Sequence, residues 1–383
     1  MSLTIDMLKC TGCTACESIC PVGCINMKTT KDGFLYPHVE TDACINCNLC
    51  NTVCHISKSV VGNPVRSFLA FSNEDKIRKY STSGGFFSLI SDWILENNGV
   101  VYGATFTEEY DVVHSRAIDE NDRNKMRFSK YTQSNISGTL DSVSRDLLSD
   151  KLVLFTGTPC QVSGLNHFLE SKNISTDNLY TCDFICHGVP SPRLWHDYLH
   201  FVMKKHHDKI VGINFRDKIN GWHKPQLTIT MQNHMQSNPE AKEPFYFLFY
   251  NGCVLRESCY TCQYTNLNRP SDIKMGDCWG IENSHPELDD NKGLSLLLVN
   301  TAKGDELISL FKSRNNDFFT ISIEDIHQPH LSKPARKSKK RNQFWDEYQR
   351  KPFKSILNKY ANYSTYSKIL YKTKRIIIRV LGR

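Results

Sequence analysis

Cys10-Thr11-Gly12-Cys13-Thr14-Ala15-Cys16-Glu17-Ser18-Ile19-Cys20-Pro21 decides how the start of the chain is read. Its four cysteines are separated by two, two and three residues. The same spacing returns 34 residues later as Cys44, Cys47, Cys50 and Cys54. Such close spacing lets three thiolates surround one centre while the fourth points to another. Gly12 eases the tight loop, and Pro21 ends the first motif. In the second motif His55 stands in the proline position, which removes no ligand. Between the motifs, Asp32-Gly33 is a hairpin turn signal and Phe34-Leu35-Tyr36 reads as a short strand.

The spacing is that of bacterial ferredoxins with two [4Fe–4S] clusters. It assigns Cys10, Cys13, Cys16 and Cys54 to one cluster, and Cys20, Cys44, Cys47 and Cys50 to the other. Zinc, which favours two separated Cys pairs, fits the doubled four-cysteine run poorly. Cys24 lies outside the spacing and reads as a buried thiol.

The chain has 383 residues and sixteen cysteines, nine of them before residue 55 and none beyond Cys278. MSLTIDMLKC has no basic or apolar leader pattern, so a reduced cytoplasmic setting is expected, with thiols for metal or chemistry rather than disulfides. No apolar run approaches the ~18 residues of a membrane span. The net charge of +7 is uneven: residues 333–383 carry +14 and the rest −7. The basic tail has no accompanying nucleic-acid-binding motif, so no nucleic-acid partner is expected.

After a linker at Ser57–Arg66, apolar strand-like runs alternate with amphipathic helical stretches. Strands are expected at 67–71, 99–106, 152–155, 179–185, 210–215, 226–231 and 294–300. Helices are expected at 84–97, 161–171, 192–205 and 305–313. The fold class is therefore an α+β ferredoxin-like module with two pseudo-repeated cluster motifs (1–60), then a larger α/β domain (61–330). A basic C-terminal tail (331–383) follows. Its stretch 366–381 mixes bulky apolars with Lys and Arg. That pattern suits peripheral contact with the inner face of a membrane, a solvated segment being the alternative.

Three groups of residues in the large domain point to chemistry. Ser81-Thr82-Ser83-Gly84-Gly85 precedes a helix, where free N–H groups suit an anion. Thr156-Gly157-Thr158-Pro159-Cys160-Gln161 places Cys160 at a helix start, where the dipole favours a thiolate. Cys259-x2-Cys262 follows Arg256 and precedes Gly276-Asp277-Cys278-Trp279-Gly280. Cys182 and Cys186 add thiols at a strand end. Arg216, Asp217, Lys218, Trp222 and His223 form a polar-aromatic loop suited to substrate contact or to a solvated turn. No catalytic residue is singled out.

Together with Cys186-His187-Gly188-Val189-Pro190-Ser191 and Phe215-Arg216-Asp217-Lys218, these stretches resemble the coenzyme F420 hydrogenase/dehydrogenase beta-subunit family over roughly residues 1–300. The form with Cys-His-Gly-Val-Pro-Ser resembles chains encoded with surface-polysaccharide genes. The resemblance implies FAD, with Ser81, Ser83, Gly84 and Gly85 near its phosphates or polar groups. It also implies a third cluster, for which Cys160, Cys186, Cys259 and Cys262 are the best candidates. Cys182, Cys253 and Cys278 are reserves. The implied function is an iron–sulfur flavoprotein oxidoreductase. Electrons would move between the clusters, FAD and a small-molecule substrate or deazaflavin-type hydride carrier, with ferredoxin or another donor or acceptor as partner. A non-catalytic electron-transfer subunit serving a partner enzyme is the alternative.

Overall fold

A computed structural model describes residues 3–58, 64–314 and 317–364. In the module, β1 (Ile25–Thr29) and β2 (Leu35–Val39) form an antiparallel hairpin. Gly33 turns it with φ of 84°, a left-handed conformation that favours glycine. The two cysteine motifs fold alike. Each runs through a residue with positive φ at Gly12 and Asn46, then another at Thr14 and Asn48. Each then enters a one-turn helix, Ala15–Ser18 or Leu49–Thr52. The 34-residue sequence repeat is thus a backbone repeat.

The large domain contributes β3 (Ser67–Phe71), β4 (Val100–Phe106), β5 (Val112–Ala117), β6 (Val153–Gly157) and β7 (Leu179–Phe184). It continues with β8 (Ile210–Asp217), β9 (Gln226–Met231), β10 (Met235–Pro239), β11 (Ile273–Asp277), β12 (Ser295–Val299) and β13 (Phe318–Thr320). Eight of these make one sheet in the order β13-β3-β12-β11-β7-β6-β4-β5. Its centre, β11-β7-β6-β4, is parallel and its flanks are antiparallel. β6 and β12 are buried along their whole length, as strands covered on both faces must be. The expected α/β domain is therefore present, and all seven expected strands occur. Ligands on such sheets collect at the carboxyl ends of parallel strands. Here those ends are Gly157, Phe184 and Asp277.

β8, β9 and β10 form a separate antiparallel meander. It shares a core with helices Pro192–His206 and Pro244–Tyr250. The same core takes in Phe344, Trp345, Ile356 and Leu357 from helices Arg341–Tyr348 and Phe353–Tyr360. The tail expected from residue 331 is thus corrected up to residue 364: its apolar residues are buried in the core. The expectation for 366–381 falls outside the described residues. Among the described residues, no helix is long and apolar enough to cross a membrane.

The module is not tethered at a distance. Ala15, Cys16, Ile19 and Val53 pack in one apolar cluster with Val162, Leu165 and Phe168 of helix Pro159–Ser171. At Gly164 of that helix an added Cβ would stand 2.7 Å from the Cys13 Cβ, so only glycine permits this approach.

Candidate functional site

Cys54 lies near Cys10, Cys13 and Cys16 of the first motif, and Cys20 near the cysteines of the second. Cys10, Cys13, Cys16 and Cys54 interact electrostatically with one another. Burial, reinforced by the neighbouring thiols, pushes Cys13 up to about 12. Cys20, Cys44, Cys47 and Cys50 line a second small hollow. Cys24 also lies there, buried, with its Sγ 3.4 Å from Cys20 Sγ. Thiols held protonated by burial must lose those protons to ligate metal, so loading the sites releases acid.

Arg256 joins module and large domain. Its Nε donates to Cys10 O at 2.7 Å, Nη1 to Gln133 Oε1 at 3.0 Å and Nη2 to Leu35 O at 2.8 Å. The guanidinium also stacks 4.1 Å from the Tyr36 ring centroid. His55 makes a second link, with Nε2 3.0 Å from Thr11 Oγ1 and Nδ1 2.6 Å from Tyr264 OH. Burial pushes this imidazole down to about 3, so it sits there neutral.

Behind these links lies a cavity of about 550 Å3 at the carboxyl ends of β6, β7 and β11. Cys160, Cys186, Cys259 and Cys262 all line it. Thr158 starts helix Pro159–Ser171 with a capping box, donating its N–H to Gln161 Oε1 at 2.9 Å, and so fixes Cys160 in the first turn. The segment Cys186–Pro190 is tied to Leu255–Cys259 by Arg256 N to Val189 O at 3.0 Å and by the Pro190–Leu255 bridge. An added Cβ at Gly188 would lie 3.1 Å from Cys259 Cβ. The four thiols act on one another electrostatically, and Cys160 also acts on Cys13. Burial, then Cys262, pushes Cys160 up to about 11. Desolvation therefore outweighs the helix dipole that was expected to favour its thiolate. Burial pushes Cys259 up to about 12.

Among the described residues, no three His, Cys, Asp or Glu side chains converge as a single-ion site. A zinc ion holds its sulfurs about 2.3 Å from one point. A [4Fe–4S] cubane instead takes four cysteine thiolates, one at each iron corner. The reserve thiols do not join them: Cys182, Cys253 and Cys278 are buried in three different core clusters.

The cavity is also lined by Ser81, Ser83 and Gly85. Gly85, with φ of 92°, starts helix Phe86–Glu96 without a side-chain cap. The serine hydroxyls are already used: Ser81 Oγ donates to Ile77 O at 2.9 Å and Ser83 Oγ to Leu294 O at 2.6 Å. What the turn offers a ligand is therefore its uncapped N–H groups. Gly84 does not line the cavity. Its α-carbon packs on β3 and β12, where an added Cβ would meet Phe71 O at 2.1 Å. His114 Nδ1 and Arg127 Nε also lack partners in the wall.

Of the residues expected in the polar-aromatic loop, Arg216 lies on β8, buried beside Asp277 at 3.3 Å and 5.1 Å from the Trp279 ring centroid. Trp222 stacks on Trp279 at 4.3 Å, while His223 turns to Asp289 at 2.8 Å. His187 hydrogen-bonds His330 at 2.6 Å and packs on Phe249. The sequence reading missed His114, Arg127 and Gln133, which lie far in sequence from the cysteine motifs, and Tyr264, two residues after Cys262; none carries a local pattern.

Residues 9–57 match the family described as 4Fe-4S dicluster domain. Residues 150–321 match the family described as the C terminus of the coenzyme F420 hydrogenase/dehydrogenase beta subunit. Over residues 150–321 the chain is thus similar to the coenzyme F420 hydrogenase/dehydrogenase beta-subunit family, and over residues 9–57 to two-cluster iron–sulfur domains. It is an iron–sulfur protein related to that beta subunit, and its chemistry is electron transfer. A solved structure of the F420-reducing [NiFe] hydrogenase complex from Methanosarcina barkeri, derivatised with xenon, is similar at 16% identity and a TM-score of 0.48. The match covers 70% of this chain and 86% of that one. No curated protein matches the chain significantly.

Proposed function

We propose that this chain is an iron–sulfur, flavin-dependent oxidoreductase. The observation that carries the reading is one wall: Cys160, Cys186, Cys259 and Cys262 share a cavity, and Cys160 lies within electrostatic reach of Cys13. The residues fit three [4Fe–4S] clusters, held by the two module sets and by these four thiols. They also fit FAD, with its anionic part at the uncapped turn Ser81–Gly85 and beside the unpartnered Arg127 Nε. Bound there, the clusters supply one-electron transfer and FAD couples it to hydride exchange.

The chain's own part is placement. Arg256 and His55 hold the module against the cavity. Phe249, Tyr250 and Trp279 line the same cavity, where Arg216 offers a substrate or hydride carrier a cationic contact. Cys47 is the exposed member of the module thiols, between exposed Ile45 and Leu49. We place exchange with ferredoxin or another redox partner there. A substrate from surface-polysaccharide synthesis would enter the same cavity.

Anaerobic iron, sulfide and flavin counts test the reading. About twelve Fe and one FAD per chain are expected, falling to about eight Fe in Cys259→Ser. Zinc in place of iron, or an unchanged count in the variant, rejects the four-thiol site. Failure of the apo-flavin form to bind added FAD rejects the flavin.

A further inference from the structure

Two cations and one carboxylate are buried together beside the large-domain thiols, and the function proposed above leaves them unexplained. Asp183 and Arg269 are fully buried and Lys274 is 1% exposed. Lys274 on β11 stands opposite Asp183 on β7, with Nζ 3.6 Å from Oδ1. Ser271 Oγ donates to Asp183 Oδ2 at 2.8 Å. Arg269 closes the loop after Cys262 by donating Nη1 to Tyr264 O, while its Nε and Nη2 have no hydrogen-bond partner. Asp183 itself lies three residues before Cys186.

The interior there holds one positive charge in excess. Buried charges are stable only when paired, so the group needs a nearby anion. The nearest source is the thiol set, since both cations act electrostatically on Cys186 and Cys262. Four thiolates around a [4Fe–4S] core supply that negative charge, and one added electron increases it. A buried cation stabilises the more negative, reduced form, and solvent ions screen it little.

We propose that Arg269 and Lys274 are positioning residues that raise the reduction potential of a cluster held by Cys160, Cys186, Cys259 and Cys262, and that Asp183 limits the rise. The inference rests on the four-thiol reading. It makes this site an easier electron acceptor than its thiols alone would be, on the route between Cys13 and the cavity.

The test is an anaerobic redox titration of the full-length protein followed by EPR. The large-domain signal is the one lost in Cys262→Ser. Work at pH 7 stays below the value of about 8 to which burial draws Lys274. In Lys274→Met and Arg269→Gln, the reduced-to-oxidised ratio at the unaltered midpoint should fall at least tenfold, a 59 mV shift for one electron. Asp183→Asn should shift it the opposite way, and Lys274→Arg should stay within threefold of the unaltered protein. A merely structural role cannot produce opposite signs, and the asparagine and arginine variants decide the matter if the others fail to fold. Twelve Fe with an unmoved midpoint, or shifts of one sign, overturns the tuning alone. About eight Fe in the unaltered protein overturns the four-thiol reading and the tuning with it.

Discussion

Arg256 shows how much of the site hangs on a residue outside the cysteine motifs. It satisfies buried carbonyls at Cys10 and Leu35 and reaches Cys10 Sγ at 3.6 Å. Arg256→Met should leave those acceptors without a donor in the interior. Hydrogen bonds to charged groups contribute about 1.5–3 kcal/mol each, so a loss on the order of 3 kcal/mol is expected in anaerobic denaturation. Arg256→Lys should rescue little, because an ammonium cannot span the same fork of acceptors. Gly164 gives a second case. Gly164→Ala forces its Cβ to within 2.7 Å of Cys13 Cβ. Overpacking of this kind costs about 1–3 kcal/mol. The strain falls on a module loop, so iron content should drop along with the melting temperature. An alanine variant with full iron and unchanged stability would show that the module sits further from the helix. The candidate ligands of the module were legible in the sequence because their spacing is local. The contact Arg256 makes with the module was not, because its partner Cys10 lies 246 residues away.

At the scale of elements, strands buried along their length, such as β6 and β12, were announced by the sequence because they read as continuous apolar runs. β11 escaped notice because Lys274 and Asp277 interrupt it, although Lys274 is buried. The helices Arg341–Tyr348 and Phe353–Tyr360 escaped because Lys and Arg surround their apolar residues and made the whole stretch look like a solvated run. Glu347 joins these two helices: its carboxylate accepts from Lys359 Nζ at 2.6 Å and from Gln343 Nε2 at 3.1 Å, and pairs with Lys351 at 3.2 Å. The Lys359 hydrogen bond leads in holding its carboxyl down at about 2. The folded value is lower than the unfolded one. The clamp therefore contributes fully above about pH 4.5 and is lost as pH falls toward 2. Glu347→Gln should be less stable than the unaltered protein at pH 6, and the difference should close over that acid range. Chemical denaturation at several pH values measures it, and a difference independent of pH would remove the carboxylate from the account.

At the scale of the whole molecule, the sequence divides the chain at about residue 60, but packing joins the parts. Val53 and Cys16 share a core with Phe168, and Phe344 shares one with Trp195. Such joins depend on shape across long sequence separations, which no local spacing encodes. They also determine where the C-terminal end can be cut. Truncation after Asn342 removes Phe344, Trp345, Ile356 and Leu357 from a core. Each fully buried apolar side chain contributes about 1.5–3 kcal/mol. Four of them approach the whole stability of a domain, about 5–15 kcal/mol. That variant should be insoluble or lose its iron. Truncation after Ser364 spares the core and removes residues 365–383, which carry six Lys or Arg and no Asp or Glu. Each such cation near an anionic surface contributes about 1 kcal/mol, fading over roughly 8 Å in physiological salt. The full chain should therefore sediment in part with anionic vesicles, less so at high salt. The Ser364 truncation should stay in the supernatant with its iron intact. Equal, negligible sedimentation of both forms would mean that the basic end does not hold the protein at a membrane.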